Sequence, residues 1–204
     1  MADQRPVASD GVVFLRAPAR RDEAEFTDLV RRSRKLHRPW MAAPDTRERF
    51  LRYLRGGREP NRCRLLVCRR EDGAILGVIN ISEIVRGPLQ SAFLGYWVGA
   101  PFAGRGYMAR GLALVLRHAF RTLKLHRLEA NLQPGNARSR RLARGAGFRK
   151  EGVSPRYLKI NGRWRDHERW AITREEWGVR GRGAKGAART PRPRTPRARS
   201  RARR

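Results

Sequence analysis

Twice between residues 93 and 148 the chain reads as an apolar strand, a turn and an amphipathic helix, and no other stretch restricts the fold as much. The first unit begins with Phe93-Leu94-Gly95-Tyr96-Trp97-Val98. It turns through Ala103-Gly104-Arg105-Gly106-Tyr107-Met108 into a helix that puts Met108, Leu112, Val115, Leu116 and Ala119 on one face. The second runs from Arg127-Leu128-Glu129-Ala130-Asn131-Leu132 to Asn136-Ala137-Arg138-Ser139 and a helix that closes before Gly147-Phe148. A small-residue turn between strand and helix exposes backbone N–H groups at the positive end of a helix dipole, an arrangement suited to a phosphate. Two such units in succession make a groove of cofactor size, which points to an enzyme. A Walker phosphate loop is excluded because no Gly-Lys-Ser/Thr follows. The dinucleotide fingerprint fails as well: its third glycine is missing, and the preceding sheet reads antiparallel.

The remaining periodicities fill in one domain over residues 1–177. Val12-Val13-Phe14-Leu15 reads as a first strand, followed by a helix from Arg21 to about Leu36 with Phe26, Leu29 and Val30 on one face. Pro39 is expected to push Arg38 out of helical geometry and end that helix. A second helix spans Thr46 to Leu54 and stops at Gly56-Gly57. Strands follow at Cys63 to Cys68, Ala74 to Ile84 and Ser91 to Val98, with Glu71-Asp72-Gly73 as a hairpin turn. Beyond the second unit come strands at 148–153 and from Trp164 to Ile172. This order argues a mixed sheet with helices on both faces.

Composition narrows the partners. The chain holds 48 Lys and Arg against 18 Asp and Glu, a formal charge of +30. Residues 178–204 carry eleven of the basic residues and none of the acidic ones, but most of the excess lies in the folded body. Such a field favours polyanions, though a bias toward Arg alone would produce it too. After Trp177 the composition shifts to Gly, Ala, Pro, Thr and Arg, and a disordered tail is expected. No apolar run is long enough to span a membrane and no export leader is present, so a cytoplasmic enzyme is expected. Cys63 and Cys68 point to opposite faces of one strand, which argues against a disulfide, and no residues have metal-ligand spacing. His37, His118 and His126 read as surface or half-buried histidines.

An ordered set of segments resembles the GCN5-related N-acetyltransferase (GNAT) family, in particular its ribosomal-protein alanine N-acetyltransferase branch. The family's acetyl-CoA loop, Arg/Gln-x-x-Gly-x-Gly/Ala, corresponds to Ala103 through Met108, with departures at the first and last positions that are familiar in this branch. Leu36-His37-Arg38-Pro39-Trp40, Ile79-Asn80-Ile81-Ser82, Leu94-Gly95-Tyr96, Pro134-x-Asn136 with Ser139, and Gly162-Arg163-Trp164-Arg165-Asp166-His167 match the branch in turn, over roughly residues 11–177. The resemblance implies a mixed, mostly antiparallel sheet (α+β class) splayed between its fourth and fifth strands. Acetyl-CoA would lie in the splay. Its pantetheine arm would meet Tyr96, Trp97 and Val98, and its pyrophosphate the amides of Gly104, Arg105, Gly106, Tyr107 and Met108, with Ala103 opening the cofactor loop. Arg105 is open to a phosphate contact or to a solvated surface role. Asn131 and Asn136 sit at the second half of the cofactor site, where Asn136 also suits a helix N-cap.

The implied reaction is transfer of acetyl to the N-terminal α-amine of a protein, with a ribosomal protein as the acceptor. The family's usual Tyr acid is replaced here by Ala143. In this branch a Ser one turn into the helix takes that part, which points to Ser139; a helical Ser is otherwise a solvated or back-bonded hydroxyl. Glu83 is the candidate base, through water, and Trp40 and Tyr157 are the candidate acceptor contacts. Asp166 and His167 cannot both face the cleft, because neighbours on a strand alternate; Trp164 and Asp166 are expected to close the hairpin. Two alternatives stay open: a small-molecule amine as acceptor, and a nucleic-acid-binding protein using the same fold as a scaffold, which the basic tail supports. In the enzyme the tail is expected to act as a tether to ribosomal RNA. Monomer and homodimer are equally compatible.

Overall fold

The structure, a computed structural model, describes residues 6–179. A short strand β1 (Ala8–Ser9) pairs with β2 (Val13–Arg16), and helices α1 (Glu23–Arg32), α2 (Arg34–His37) and α3 (Arg47–Gly56) follow. Strands β3 (Cys63–Arg69), β4 (Ile75–Val85) and β5 (Ser91–Val98) form a meander leading to α4 (Tyr107–Arg117), which runs on into a π-helical turn at His118–Thr122. Then come β6 (Arg127–Leu132), α5 (Ala137–Ala146) and the long hairpin β7 (Arg149–Ile160) and β8 (Arg163–Thr173). Residues 174–179 are helical, so the tail expected from residue 178 lies outside the described residues apart from its first two.

One eight-stranded sheet has the order β1-β2-β3-β4-β5-β6-β8-β7. Every neighbouring pair is antiparallel except β5 and β6. The strands expected to splay are therefore β5 and β6, the extra β1 shifting the count by one. Two apolar layers cover the sheet. On one face Leu112, Val115 and Leu116 of α4 and Ala143 of α5 pack on Leu65, Val67, Ile79 and Leu128. On the other, Phe26, Leu29 and Phe50 from α1 and α3 pack on Leu66, Cys68, Val78 and Trp97. The strand alternation explains the split, since Leu65 and Val67 serve one layer and Leu66 and Cys68 the other. The two thiols stay free, and burial pushes both up to about 11.

The helix expected from Arg21 to Leu36 is broken in two. Ser33 Oγ donates to the Leu29 carbonyl at 2.7 Å and accepts from the Ala100 amide at 2.8 Å, so the hydroxyl both ends α1 and anchors the exit of β5. The expectation for Pro39 also fails: Arg38 is helical, with φ −47° and ψ −40°. Proline's pressure on the preceding residue is a steric bias, and here the bonds from Arg38 N to Arg34 O and from Met41 N to His37 O hold the turn against it.

Most of the many ion pairs are exposed and contribute little. Glu168 differs. Its carboxylate, 5% exposed, meets Lys150 Nζ at 2.8 Å, Trp170 Nε1 at 3.0 Å and Arg140 Nε at 3.1 Å, and so ties α5 to β7 and β8. Lys150 and Arg140 are themselves 41% and 36% exposed, so solvent screens part of what each contributes. Asp166 accepts from the Arg156 amide at 2.7 Å and pins the hairpin as expected, whereas Trp164 is exposed and packs on nothing in the core.

Candidate active site

The groove begins where β5 and β6 part. They pair only from Ser91–Phe93 to Arg127–Glu129, so from Leu94 to Val98 one edge of β5 is open. The bond from Gly99 N to Leu76 O sets the phase of the ladder toward β4. Because hydrogen-bonded and open pairs alternate, the main-chain groups of Val98 and Tyr96 face the splay. The loop beyond β5 is shaped by Gly104 and Gly106, both at φ +79°, a left-handed geometry that costs other residues about 1–2 kcal/mol. Gly106 caps α4, and none of the amides of residues 104–108 donates to a backbone carbonyl. Five unclaimed donors thus converge at a helix N-terminus.

These elements enclose a cavity of about 970 Å³. Of the residues expected at the site, Trp40, Tyr96, Trp97, Val98, Ala103, Gly104, Gly106, Tyr107, Met108, Asn136 and Ser139 line it. Asn136 caps α5 by accepting from the Ser139 amide at 3.1 Å. Tyr96 crosses the splay: its hydroxyl donates to the Ser139 carbonyl at 3.1 Å, and burial pushes the phenol up to about 12, so it stays protonated.

Four candidates lie off this lining. Glu83, at φ +50° in an irregular stretch of β4, is 52% exposed and faces Arg62 at 3.6 Å. The register shift between Ser82 and Val85 leaves it off the cavity wall. Arg105 is exposed and does not line the cavity. Asn131 sits on β6 opposite Arg169, with its side-chain oxygen buried and unpartnered. Tyr157 packs against the His167 ring, 6.2 Å between centroids. Among the described residues no carboxylate lines the cavity.

His37 corrects the reading as a surface or half-buried histidine. It is 7% exposed, lines the cavity and meets Trp97 edge-on, with ring centroids 5.2 Å apart. Its Nε2 lies 2.8 Å from the Val98 carbonyl, which can only accept, so Nε2 carries the proton. Burial lowers the imidazole's pKa and keeps it neutral. Nothing in its sequence context marks it, because the contact joins residues 61 positions apart. Arg138, Arg141 and Trp177 also line the cavity and were not expected there.

The wall opposite α5 is assembled from three distant segments. Gln133 Nε2 donates to the Trp40 carbonyl at 3.0 Å, and the Trp40 ring covers Gly135 so closely that a Cβ there would sit 3.2 Å from it. Asn161, at the hairpin tip, donates to the Arg38 carbonyl at 3.0 Å.

A splayed sheet edge beside a donor-rich helix N-terminus defines a site for a phosphate-bearing, extended acyl carrier. Residues 13–149 match the model of the acetyltransferase (GNAT) domain, and the chain belongs to that family of acetyl-CoA-dependent N-acetyltransferases. It is 41% identical over 107 residues to the [ribosomal protein uS5]-alanine N-acetyltransferase of Escherichia coli, a match covering 52% of this chain and 55% of that protein. The chain thus spans about half the length of that curated relative. Among solved structures, RimJ of Mycobacterium smegmatis in complex with CoA-disulfide is 31% identical with a TM-score of 0.77, covering 88% of this chain and 91% of the other. The ribosomal-protein-S5-alanine acetyltransferase of Vibrio fischeri is 25% identical with a TM-score of 0.72, covering 83% and 97%. The site fits acetyl-CoA: amides without a backbone acceptor among the described residues for a pyrophosphate, the open main chain of Tyr96 and the Val98 amide for an amide-bearing arm, and room for both. Among the described residues no helix is long and apolar enough to cross a membrane.

Proposed function

We propose that the chain transfers acetyl from acetyl-CoA to the N-terminal α-amine of a protein, with a ribosomal protein as the acceptor, in the cytoplasm. The observation that carries this reading is a groove with no carboxylate on its wall among the described residues. At pH 7 about one α-amine in seven is already neutral, against roughly one lysine amine in 2,500. A site that supplies no strong base therefore suits an α-amine and fails a lysine. Bound acetyl-CoA supplies the thioester carbonyl that the amine attacks. The amides of residues 104–108 hold the pyrophosphate, and the main chain of Tyr96 and Val98 aligns the arm. His37 fixes the end of β5 by donating to the Val98 carbonyl. Ser139 Oγ, on the first turn of α5, holds a proton at the wall for the departing sulfur, in place of the phenol that Ala143 cannot offer. The amine's proton leaves to water through the open groove, and Glu83, turned to Arg62, takes no part. Trp40 and the segments it touches seat the acceptor peptide, with Tyr157 on the adjoining hairpin.

The names of the E. coli and V. fischeri relatives support a ribosomal acceptor. The positive body disfavours polyamines and aminoglycosides, whose charge has the same sign. The test is turnover against peptides beginning with Ala or Ser, beside N-blocked lysine peptides, spermidine and an aminoglycoside. Acetylation of the free N-termini alone is expected, and faster turnover on any control would overturn the reading. The basic segment after residue 178 would hold the enzyme to ribosomal RNA; co-sedimentation with ribosomes unchanged by deleting residues 178–204 would remove that role.

A further inference from the structure

A second cavity, of about 600 Å³, opens between α3 and β3, on the opposite face of the sheet from α4 and α5. Arg49, Arg52, Arg55, Arg62 and Arg64 line it, against one carboxylate, Glu59. Arg49 and Arg52 each hold a carboxylate on their own helical face, at 2.7 Å to Asp45 and to Glu48. Arg55 and Arg64 pair with none among the described residues. Arg62 Nε is buried 3.1 Å from Glu59, yet it forms no directed hydrogen bond.

Arg64 is held in place rather than left to solvent. Its guanidinium lies 4.0 Å above the Tyr53 ring and donates to the Tyr53 carbonyl, while the Tyr53 hydroxyl is fixed by Asn80 at 2.9 Å. Burial lowers the Arg64 pKa, and the neighbouring Arg62 charge lowers it further. Like charges gathered in a concavity repel one another, and an anion entering it relieves that repulsion. Three arginines at i, i+3 and i+6 along α3 share one helical face, opposite Arg62 just before β3 and Arg64 on it. Planar forks on two sides of a trough match successive phosphates, each able to accept two parallel N–H bonds. The charge excess runs along the body of the sequence as well as its last residues, which suits a long polyanion better than a short acidic peptide.

We propose that this arginine-lined trough binds the phosphodiester backbone of RNA, at a site separate from the acetyl-transfer groove and from the segment beyond residue 179. The proposal is independent of which amine the groove acetylates. It is tested with the full chain by fluorescence anisotropy of a fluorescein-labelled RNA hairpin over a salt series. Arg52→Gln/Arg55→Gln alters exposed positions on α3; Arg117→Gln/Arg121→Gln removes the same charge from the other face. Loss of two phosphate contacts should flatten the slope of log K against log salt by roughly 1.5 and weaken binding about tenfold at moderate salt. The second pair should change affinity less than about twofold, since only the general field is reduced. A Tm within about two degrees of the unaltered chain reports that both variants are folded. Equal losses in the two variants, or absence of RNA binding by the unaltered chain, would overturn the proposal. So would displacement of the RNA by polyglutamate as effectively, charge for charge, as by unlabelled RNA.

Discussion

In the half of the groove proposed for the cofactor, the groups turned to the opening belong to the main chain: Tyr96 and Val98 on β5 and the amides of residues 104–108. In the half walled by Trp40, side chains hold the wall together: Gln133 of the β6–α5 connection and Asn161 at the tip of the β7–β8 hairpin reach the Trp40 and Arg38 carbonyls, just beyond α2. The first half is made within one strand-turn-helix unit. The second exists only after residues 93 and 123 positions apart have met. Main-chain recognition depends on backbone angles and leaves side chains free to vary. Recognition by assembled side chains can change acceptor without disturbing the cofactor. A polypeptide built this way can keep acetyl-CoA and exchange its substrate.

The largest effect should come from breaking the main-chain half. Gly106→Val places a β-branched residue at φ +79° and turns the first amides of α4 away from the phosphate site. Acetyl-CoA should bind about a hundredfold more weakly by titration calorimetry, a loss of about 2.7 kcal/mol. Ser139→Ala comes next and sharpens the boundary between binding and chemistry. Its main chain still caps and still accepts from Tyr96, so acetyl-CoA affinity should stay within about twofold while kcat falls about thirtyfold. An unchanged kcat removes the hydroxyl from the mechanism.

What was legible in the sequence follows the same division. The strands at 91–98 and 127–132 stand where their apolar patterns placed them. The paired glycines marked a turn that only left-handed residues can make, and Asn136 marked the start of α5. The acceptor wall left no such trace. Trp40 could be named from the resemblance, but its bond to Gln133 and the Asn161 contact to Arg38 have no periodicity to betray them. His37 was passed over because a lone histidine beside Arg-Pro-Trp carries no sign of burial. Glu83 was expected to face the cleft from the end of its strand, but a register shift after Ser82 leaves it against Arg62. Ser33 split a helix whose apolar spacing continued unbroken, since its hydroxyl answers to Ala100, far along the chain.

The smallest effect concerns the outer edge of the sheet, away from both halves. Arg127 beside the Glu151 carboxyl holds it down to about 2. The folded state therefore keeps this group ionised after the unfolded chain has taken up its proton. The stability it brings is whole above the ordinary glutamate value of 4.5 and is lost as pH falls toward 2. Thermal melting of Glu151→Gln should show a shallower decline across that window than the unaltered chain, and a Tm lower by a few degrees at pH 7. Identical melting curves would show that the pair is screened to irrelevance.

Trp40→Ala tests the division itself, with acetyl-CoA affinity by calorimetry and KM for an Ala-initiated peptide measured on the same preparation. A main-chain cofactor site beside a side-chain acceptor site predicts a peptide KM raised about tenfold and an acetyl-CoA Kd within about twofold of the unaltered chain. An acetyl-CoA Kd that rises in step with the peptide KM would contradict it.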